Sequence, residues 1–259
     1  MQAERILGTH PIVRAIAGAA ERLGRSGHPV VVVGERGTGK ELFARHLHAA
    51  AGRPEECFIR VDCAEPSERR LEQDLFEREG GWRRAVAGTL LLDGLSSLPL
   101  ELQQRLLNDL SGGDRRRHPQ LVASMDREIA QQRRAGCLVG ELIDHLRPVE
   151  VVLPALRQRR SDIPVLVQHF LRLYAVRNGV AQPAIETEAL VDLWQYDWPG
   201  NVRELESVIE RVVVLCTSGV ICSGDLPPSI RAGGGERTAT YRNASQLSAF
   251  GGPQLRPTI

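Results

Sequence analysis

The apolar positions of this chain change their period repeatedly, and each change marks an element. Behind Pro11, whose fixed φ suits a first helical turn, Ile12, Val13, Ile16, Ala20 and Leu23 recur at helical spacing, predicting a helix over 11–24. His28-Pro29 breaks it. Val30 to Val33 is a β-branched run bounded by glycine, the pattern of a strand buried on both faces. A helix is predicted from Glu41 to Ala51. Further strands are expected at Cys57 to Val61, Thr89 to Leu92, Leu121 to Ser124 and Val149 to Leu153. Helical patterns lie between them, at Glu68 to Glu79, Leu100 to Leu110, Arg127 to Arg134 and Leu138 to Leu146. Strands alternating with helices imply an α/β fold with a mainly parallel sheet.

After Leu153 the strand patterns stop. Three helical patterns follow, Ile163 to Val176, Glu186 to Trp194 and Val202 to Leu215. The expected organisation is an α/β subdomain over 1–159, a small all-helical subdomain over 160–230 and a flexible tail over 231–259. That tail is rich in Gly, Ser, Thr and Pro and has no periodicity. No internal repeat is visible.

Composition narrows the class. With 42% hydrophobic and 25% charged residues over 259 positions, the chain has ample material for a core. A formal net charge of +1 speaks against a nucleic-acid binder with a strong global basic field. No apolar run reaches the ~18 residues of a membrane span, and the first residues have no signal-peptide pattern. Five cysteines stand at no zinc-ligand spacing and read as reduced thiols. The expected location is the cytoplasm, with no membrane partner. Arg115-Arg116-Arg117-His118 reads as a solvated basic loop, and Trp82 as a packed turn residue.

One of the 33 Lys plus Arg residues is lysine, Lys40. It lies in Gly34-Glu35-Arg36-Gly37-Thr38-Gly39-Lys40, which follows the Val30 to Val33 strand and opens a helix. That is the G-x-x-x-x-G-K spacing of a P-loop in its proper context. The glycines let backbone N–H groups curl around phosphate oxygens, and the helix N-terminus adds partial positive charge. Lys40 is placed to reach β- and γ-phosphates, so ATP or ADP is the expected ligand, bound along Gly34 to Lys40 and on through Glu41 and Leu42. Glu41 stands where most P-loops carry the Ser or Thr that ligates magnesium.

The segment GERGTGKELFARHLH resembles the AAA+ domain of sigma-54-dependent transcription activators, in which Glu after the lysine is normal. The likeness continues through GTLLLDGLSSLPLELQQRLLNDL, LPALRQRRSDIPVLVQHFL and YDWPGNVRELESVIERVVVL, from about Ile6 to Leu226. It implies a RecA-like parallel sheet, a helical lid, a nucleotide at their junction and assembly with other AAA+ subunits. In that family ATP hydrolysis drives a surface loop against sigma-54 to remodel RNA polymerase.

By this resemblance Asp93 ends the Walker B strand and would hold Mg²⁺ through water, while Arg203 in Trp198-Pro199-Gly200-Asn201-Val202-Arg203 is the sensor II arginine. Asn201 is expected to cap the helix it opens. Arg157, Arg159 and Arg160 belong to the family's linker motif and are expected to make structural or ring contacts. Several positions depart from the family. The general-base Glu after Asp93 is Gly94, and its restraining Asn is Asp62. The sensor I pair is Met125-Asp126. The two arginine fingers fall on Val139 and His145. The GAFTGA loop, which the family inserts before Walker B, is missing between Glu77 and Gly88. A general base contributes about 10²–10⁴-fold and an arginine finger about 10³–10⁵-fold. The expectation is a degenerate, stand-alone nucleotide-binding member, with no receiver domain before residue 1 and no helix-turn-helix after Leu226. It would regulate bacterial transcription through other AAA+ subunits, its own or an intact activator's, and reach sigma-54 and RNA polymerase indirectly. An active ATPase that remodels sigma-54 polymerase is one alternative; a binding module without nucleotide is another.

Overall fold

A computed structural model describes residues 6–77, 80–112 and 118–232. The chain divides into two compact units, one containing Pro11–Pro154 and the other containing Leu7–His10 and the chain from Ala155 onward. The tail expected over 231–259 lies almost wholly outside the described residues, as do Arg115, Arg116 and Arg117.

The first unit is a five-stranded parallel sheet. Its strands are β1 (Val30–Val33), β2 (Phe58–Asp62), β3 (Thr89–Asp93), β4 (Gln120–Met125) and β5 (Val149–Val152), in the order β2-β3-β4-β1-β5. The helices are α1 (Pro11–Ser26), α2 (Lys40–Ala50), α3 (Glu68–Phe76), α4 (Gly81–Arg84), α5 (Leu100–Gly112), α6 (Ile129–Arg134) and α7 (Gly140–Leu146). The all-valine β1 sits between β4 and β5, and its four residues are buried because helices cover both faces. On one face Val31, Val33, Leu90, Leu92, Leu121 and Ala123 pack against α3, α5 and α7. On the other, Val30, Val32, Leu91 and Val122 meet α1 and α2. The sheet therefore holds the C-terminal ends of β1, β3 and β4 side by side, where open α/β sheets bind their ligands.

Between α3 and β3 the chain makes one short helical turn, α4, which the apolar pattern does not announce. Trp82 is half-buried against the core, its ring 5.4 Å from that of His118. The connection closes only with glycine at its end: a Cβ on Gly88 would lie 2.1 Å from the Cys57 carbonyl oxygen.

The second unit contains α8 (Ile163–Asn178), α9 (Thr187–Gln195), α10 (Asn201–Leu215) and α11 (Pro228–Ala232). It is not wholly helical. Two short strands, β6 (Ala184–Ile185) and β7 (Val220–Ile221), form a parallel pair that places Ile185 and Ile221 in the core. Trp198 is fully buried and donates its indole N–H to the Leu193 carbonyl at 2.8 Å.

Asn201 is not the N-cap of α10: Gly200 holds that position and Asn201 is the first residue of the helix. Its φ of 55° is left-handed, and its Oδ1 accepts the Leu156 N–H at 2.8 Å. The capping contact comes instead from Glu204, whose Oε2 accepts the Gly200 N–H at 2.8 Å. The linker arginines make structural contacts: Arg160 donates to the carbonyls of Trp194 at 2.8 Å and Gln195 at 2.6 Å, and Arg159 is buried. Buried Asp162 accepts the N–H groups of Thr9 at 2.6 Å and His10 at 2.8 Å, tying Leu7–His10 into this unit. Among the described residues no helix is long and apolar enough to cross a membrane.

Candidate nucleotide site

The loop from Gly34 to Gly39 leaves the buried end of β1 and turns directly into α2. Gly34 lies so close to its neighbours that a Cβ would meet Thr38 Oγ1 at 2.9 Å and the Leu153 carbonyl oxygen at 3.0 Å. Gly39, at φ 103°, precedes α2 and gives it no side-chain cap. The first N–H groups of the helix therefore point into the loop without a side-chain acceptor. Thr38 is buried and donates its hydroxyl to the Glu35 carbonyl at 2.8 Å, which stiffens the turn.

Lys40 folds back over this loop. Its ammonium donates to the Gly34 carbonyl, to the Glu35 carbonyl at 3.3 Å, and to Asp126 Oδ1 at 2.7 Å. Asp126 comes from the end of β4, the neighbour of β1, and its side chain is mostly in solvent.

Asp93 ends β3, one strand further along. Arg60 on β2 donates to its Oδ2 from Nε at 3.0 Å and Nη2 at 2.6 Å, while Ser124 donates its hydroxyl to Oδ1 at 2.5 Å. The Ser124 oxygen in turn accepts the Gly94 N–H at 2.9 Å. Burial is the largest single influence on Asp93 and would push its carboxyl upward. The hydrogen bonds from Ser124 and Arg60 and the charges of Arg60 and Lys40 together outweigh it, holding the group below the usual carboxylate range. Glu41 opens α2 beside them. Its Oε1 accepts from Arg45 Nε at 3.0 Å and Nη2 at 2.9 Å, and its Oε2 lies 3.5 Å from Arg60 Nε.

Two matches settle what this arrangement belongs to: residues 6–118 match the Sigma-54 interaction domain, and residues 157–242 match the AAA+ ATPase lid domain. The chain belongs to the AAA+ family of sigma-54-dependent activators. It is 36% identical to the transcriptional regulatory protein ZraR of Salmonella typhi, over 88% of this chain and 56% of ZraR. It is 34% identical to the sigma-54-dependent transcriptional activator SfnR of Pseudomonas putida, over 83% of this chain and 65% of SfnR. The structure of NtrX from Brucella abortus in complex with ADP superposes with a TM-score of 0.77 at 29% identity, covering 88% of this chain and 56% of NtrX. The ATP complex of the same protein gives 0.76 at 28% identity, covering 86% and 56%. The chain thus spans about half the length of most of these relatives.

Within this sigma-54 activator domain, the positions expected to depart from the family have definite surroundings. Gly94 has φ 82° and carries no base. Asp62 turns back to accept the Ala64 N–H at 3.0 Å. The Met125 side chain is fully buried in the core while its carbonyl accepts the Gly34 N–H at 3.1 Å, and Asp126 beside it meets Lys40. Val139 is half-buried against the core just before α7, and its N–H donates to Gln103 Oε1 at 3.0 Å. His145 lies in the last turn of that helix. Arg203 is exposed on the first turn of α10 in the lid unit.

The structure brings Gly34 to Leu42 and Asp93 together with two residues that the sequence reading passed over, Arg60 and Ser124. Arg60 had a usable signal: Phe58, Arg60 and Asp62 share one face of β2 at period two. At Asp93, where a magnesium ion held through water was expected, the Arg60 guanidinium is already bonded to Oδ2 and the Ser124 hydroxyl to Oδ1. Among the described residues no group of three or more His, Cys, Asp or Glu is gathered for a metal.

Proposed function

We propose that this domain binds ATP or ADP and regulates bacterial transcription through contacts with other proteins, with little or no hydrolysis. The reading rests on one contrast at adjoining strand ends. The loop after β1 retains its glycines and Lys40, whereas the position after Asp93 is Gly94, whose backbone N–H is bonded to Ser124 and which offers no side-chain base. The ADP and ATP complexes of NtrX support the choice of ligand. Lys40 and the first N–H groups of α2 would hold the phosphates. No arginine stands at either finger position, and nothing in Val139 or His145 replaces its charge on a neighbour's nucleotide.

Partners fitting this reading are other AAA+ subunits, identical or intact, through which the sigma-54 polymerase would be reached indirectly in the cytoplasm. The test is an equilibrium titration with fluorescent ADP and ATP analogues, paired with a phosphate-release assay. Saturable binding that Lys40→Ala weakens at least about tenfold, with negligible turnover, is expected. Turnover like that of an intact activator, abolished by Asp93→Ala, would overturn it in favour of an active ATPase.

A further inference from the structure

In P-loop folds the magnesium ion sits between the residue after the loop lysine and the Walker B carboxylate. In this chain those residues are Glu41 and Asp93, and the Arg60 guanidinium stands between them. It lies 2.6 Å from Asp93 Oδ2 through Nη2 and 3.5 Å from Glu41 Oε2 through Nε; Asp62 Oδ2 is 3.8 Å from Nη2. Three carboxylates from α2, β2 and β3 thus surround one permanent cation.

The remaining oxygens are also taken. Asp93 Oδ1 accepts from Ser124, and Glu41 Oε1 accepts from Arg45. Arg45 and Arg60 offset two of the three negative charges of Glu41, Asp62 and Asp93, while Lys40 beside them is paired with Asp126. A divalent cation would enter a neighbourhood whose negative charge is already largely offset. Magnesium also demands a near-octahedral shell of oxygens and gives up its waters reluctantly. A guanidinium cannot lose its proton at any accessible pH, and its planar fork suits phosphate as well as carboxylate. The Arg60 side chain is 39% exposed, at the strand ends where the phosphates would lie.

We propose that the Arg60 guanidinium takes the place of the divalent cation in this site, so that the domain binds nucleoside di- and triphosphates without magnesium. This deepens the nucleotide-binding reading and rests on it. Arg60 would supply the positive charge that faces the phosphate oxygens, and Asp93, Ser124 and Glu41 would hold it in place. Its loss would reopen the acidic pair Glu41 and Asp93 to a metal.

The experiment is a titration of the full chain with fluorescent ADP and ATP analogues, in excess magnesium and in excess chelator. The wild-type dissociation constants should agree within about twofold between the two conditions. Arg60→Gln should bind about tenfold more weakly in chelator and recover most of that loss when magnesium is added. Arg60→Lys keeps the charge without the fork and should fall between them. Thermal melts check that each variant is folded, and the wild-type comparison needs no variant at all. If chelator weakens wild-type binding tenfold or more, this proposal is wrong while the nucleotide reading stands. If no nucleotide binds in either condition, both fail together.

Discussion

Lys40 must leave Asp126 before it can meet a nucleotide phosphate, and this sets the size of one measurable effect. The ammonium and the carboxylate are 2.7 Å apart, with side-chain exposures of 11% and 61%. Opposite unit charges about 4 Å apart attract by about 1 kcal/mol in a water-like medium and about 4 kcal/mol at an effective dielectric of 20. Because the Asp126 carboxylate is mostly in water, the lower figure applies, in line with about 0.2–1 kcal/mol for exposed ion pairs. An incoming phosphate also meets the Asp126 charge itself, a repulsion of comparable size. Asp126→Asn removes that charge while keeping the shape and one acceptor oxygen. The two effects together come to roughly 1–2 kcal/mol, or about 5–30-fold tighter nucleotide binding. The gain should be larger for ATP than for ADP, since the γ-phosphate brings more negative charge to Lys40. Salt should erode it, because the Debye length shrinks from about 10 Å at 0.1 M to about 3 Å at 1 M. Fluorescence titration of both nucleotides at low and high salt reads all three effects, with a thermal melt to confirm folding. Unchanged or weaker binding by Asp126→Asn, or a gain indifferent to salt, would refute the reasoning.

Two further outcomes concern stability. Gly88→Ala places a Cβ 2.1 Å from the Cys57 backbone carbonyl, which cannot swing aside as a side chain can; a loss of about 2 kcal/mol or more in denaturant melts is expected, and wild-type stability would contradict the geometry. Burial, with Arg53 and Arg45 nearby, lowers the pKa of His48, outweighing the raising influence of its bond to the Pro54 carbonyl and of Glu55. Its Nε2 donates to the acceptor-only Pro54 carbonyl at 2.9 Å, which leaves Nδ1 of the neutral ring facing the Thr89 hydroxyl at 2.9 Å. The unfolded chain therefore binds the extra proton first, and the stability from this group is complete above pH of about 6.5 and falls as pH drops below it. Melting temperatures from pH 7.5 down to about 5.5 should decline in the wild type and less so in His48→Gln; parallel curves would show that His48 carries no such linkage.

Most of the architecture was legible in the sequence because it is written in local periods. The all-valine β1, the glycine loop and the α2 pattern lie within about twenty consecutive residues, and the observed bounds differ from the expected ones by a few positions. What escaped was too short to have a period. Ala184–Ile185 and Val220–Ile221 are two-residue strands, recognisable only once they pair. The single turn of α4 reads as a glycine-rich bend until Gly81 is seen packed against Ile59 and Val61. Asn201 looked like a helix cap because Asn at such a position usually is one; its left-handed backbone instead directs the side chain to Leu156.

The site divides in the same way. Sequence alone determined the phosphate loop and its lysine, and through the family resemblance it raised the expectation that Gly94, Val139 and His145 stand where a base and two arginines would, because each depends only on which residue stands where. Tertiary structure decided what those residues touch. Arg60 and Asp93 are 33 positions apart and meet because β2 and β3 lie parallel with Asp62 level with Asp93. Lys40 and Asp126 are 86 positions apart and meet because β4, though late in the chain, lies beside β1. Charge pairing across a sheet follows strand order and register, which are set by packing of the whole core, and no local pattern encodes it.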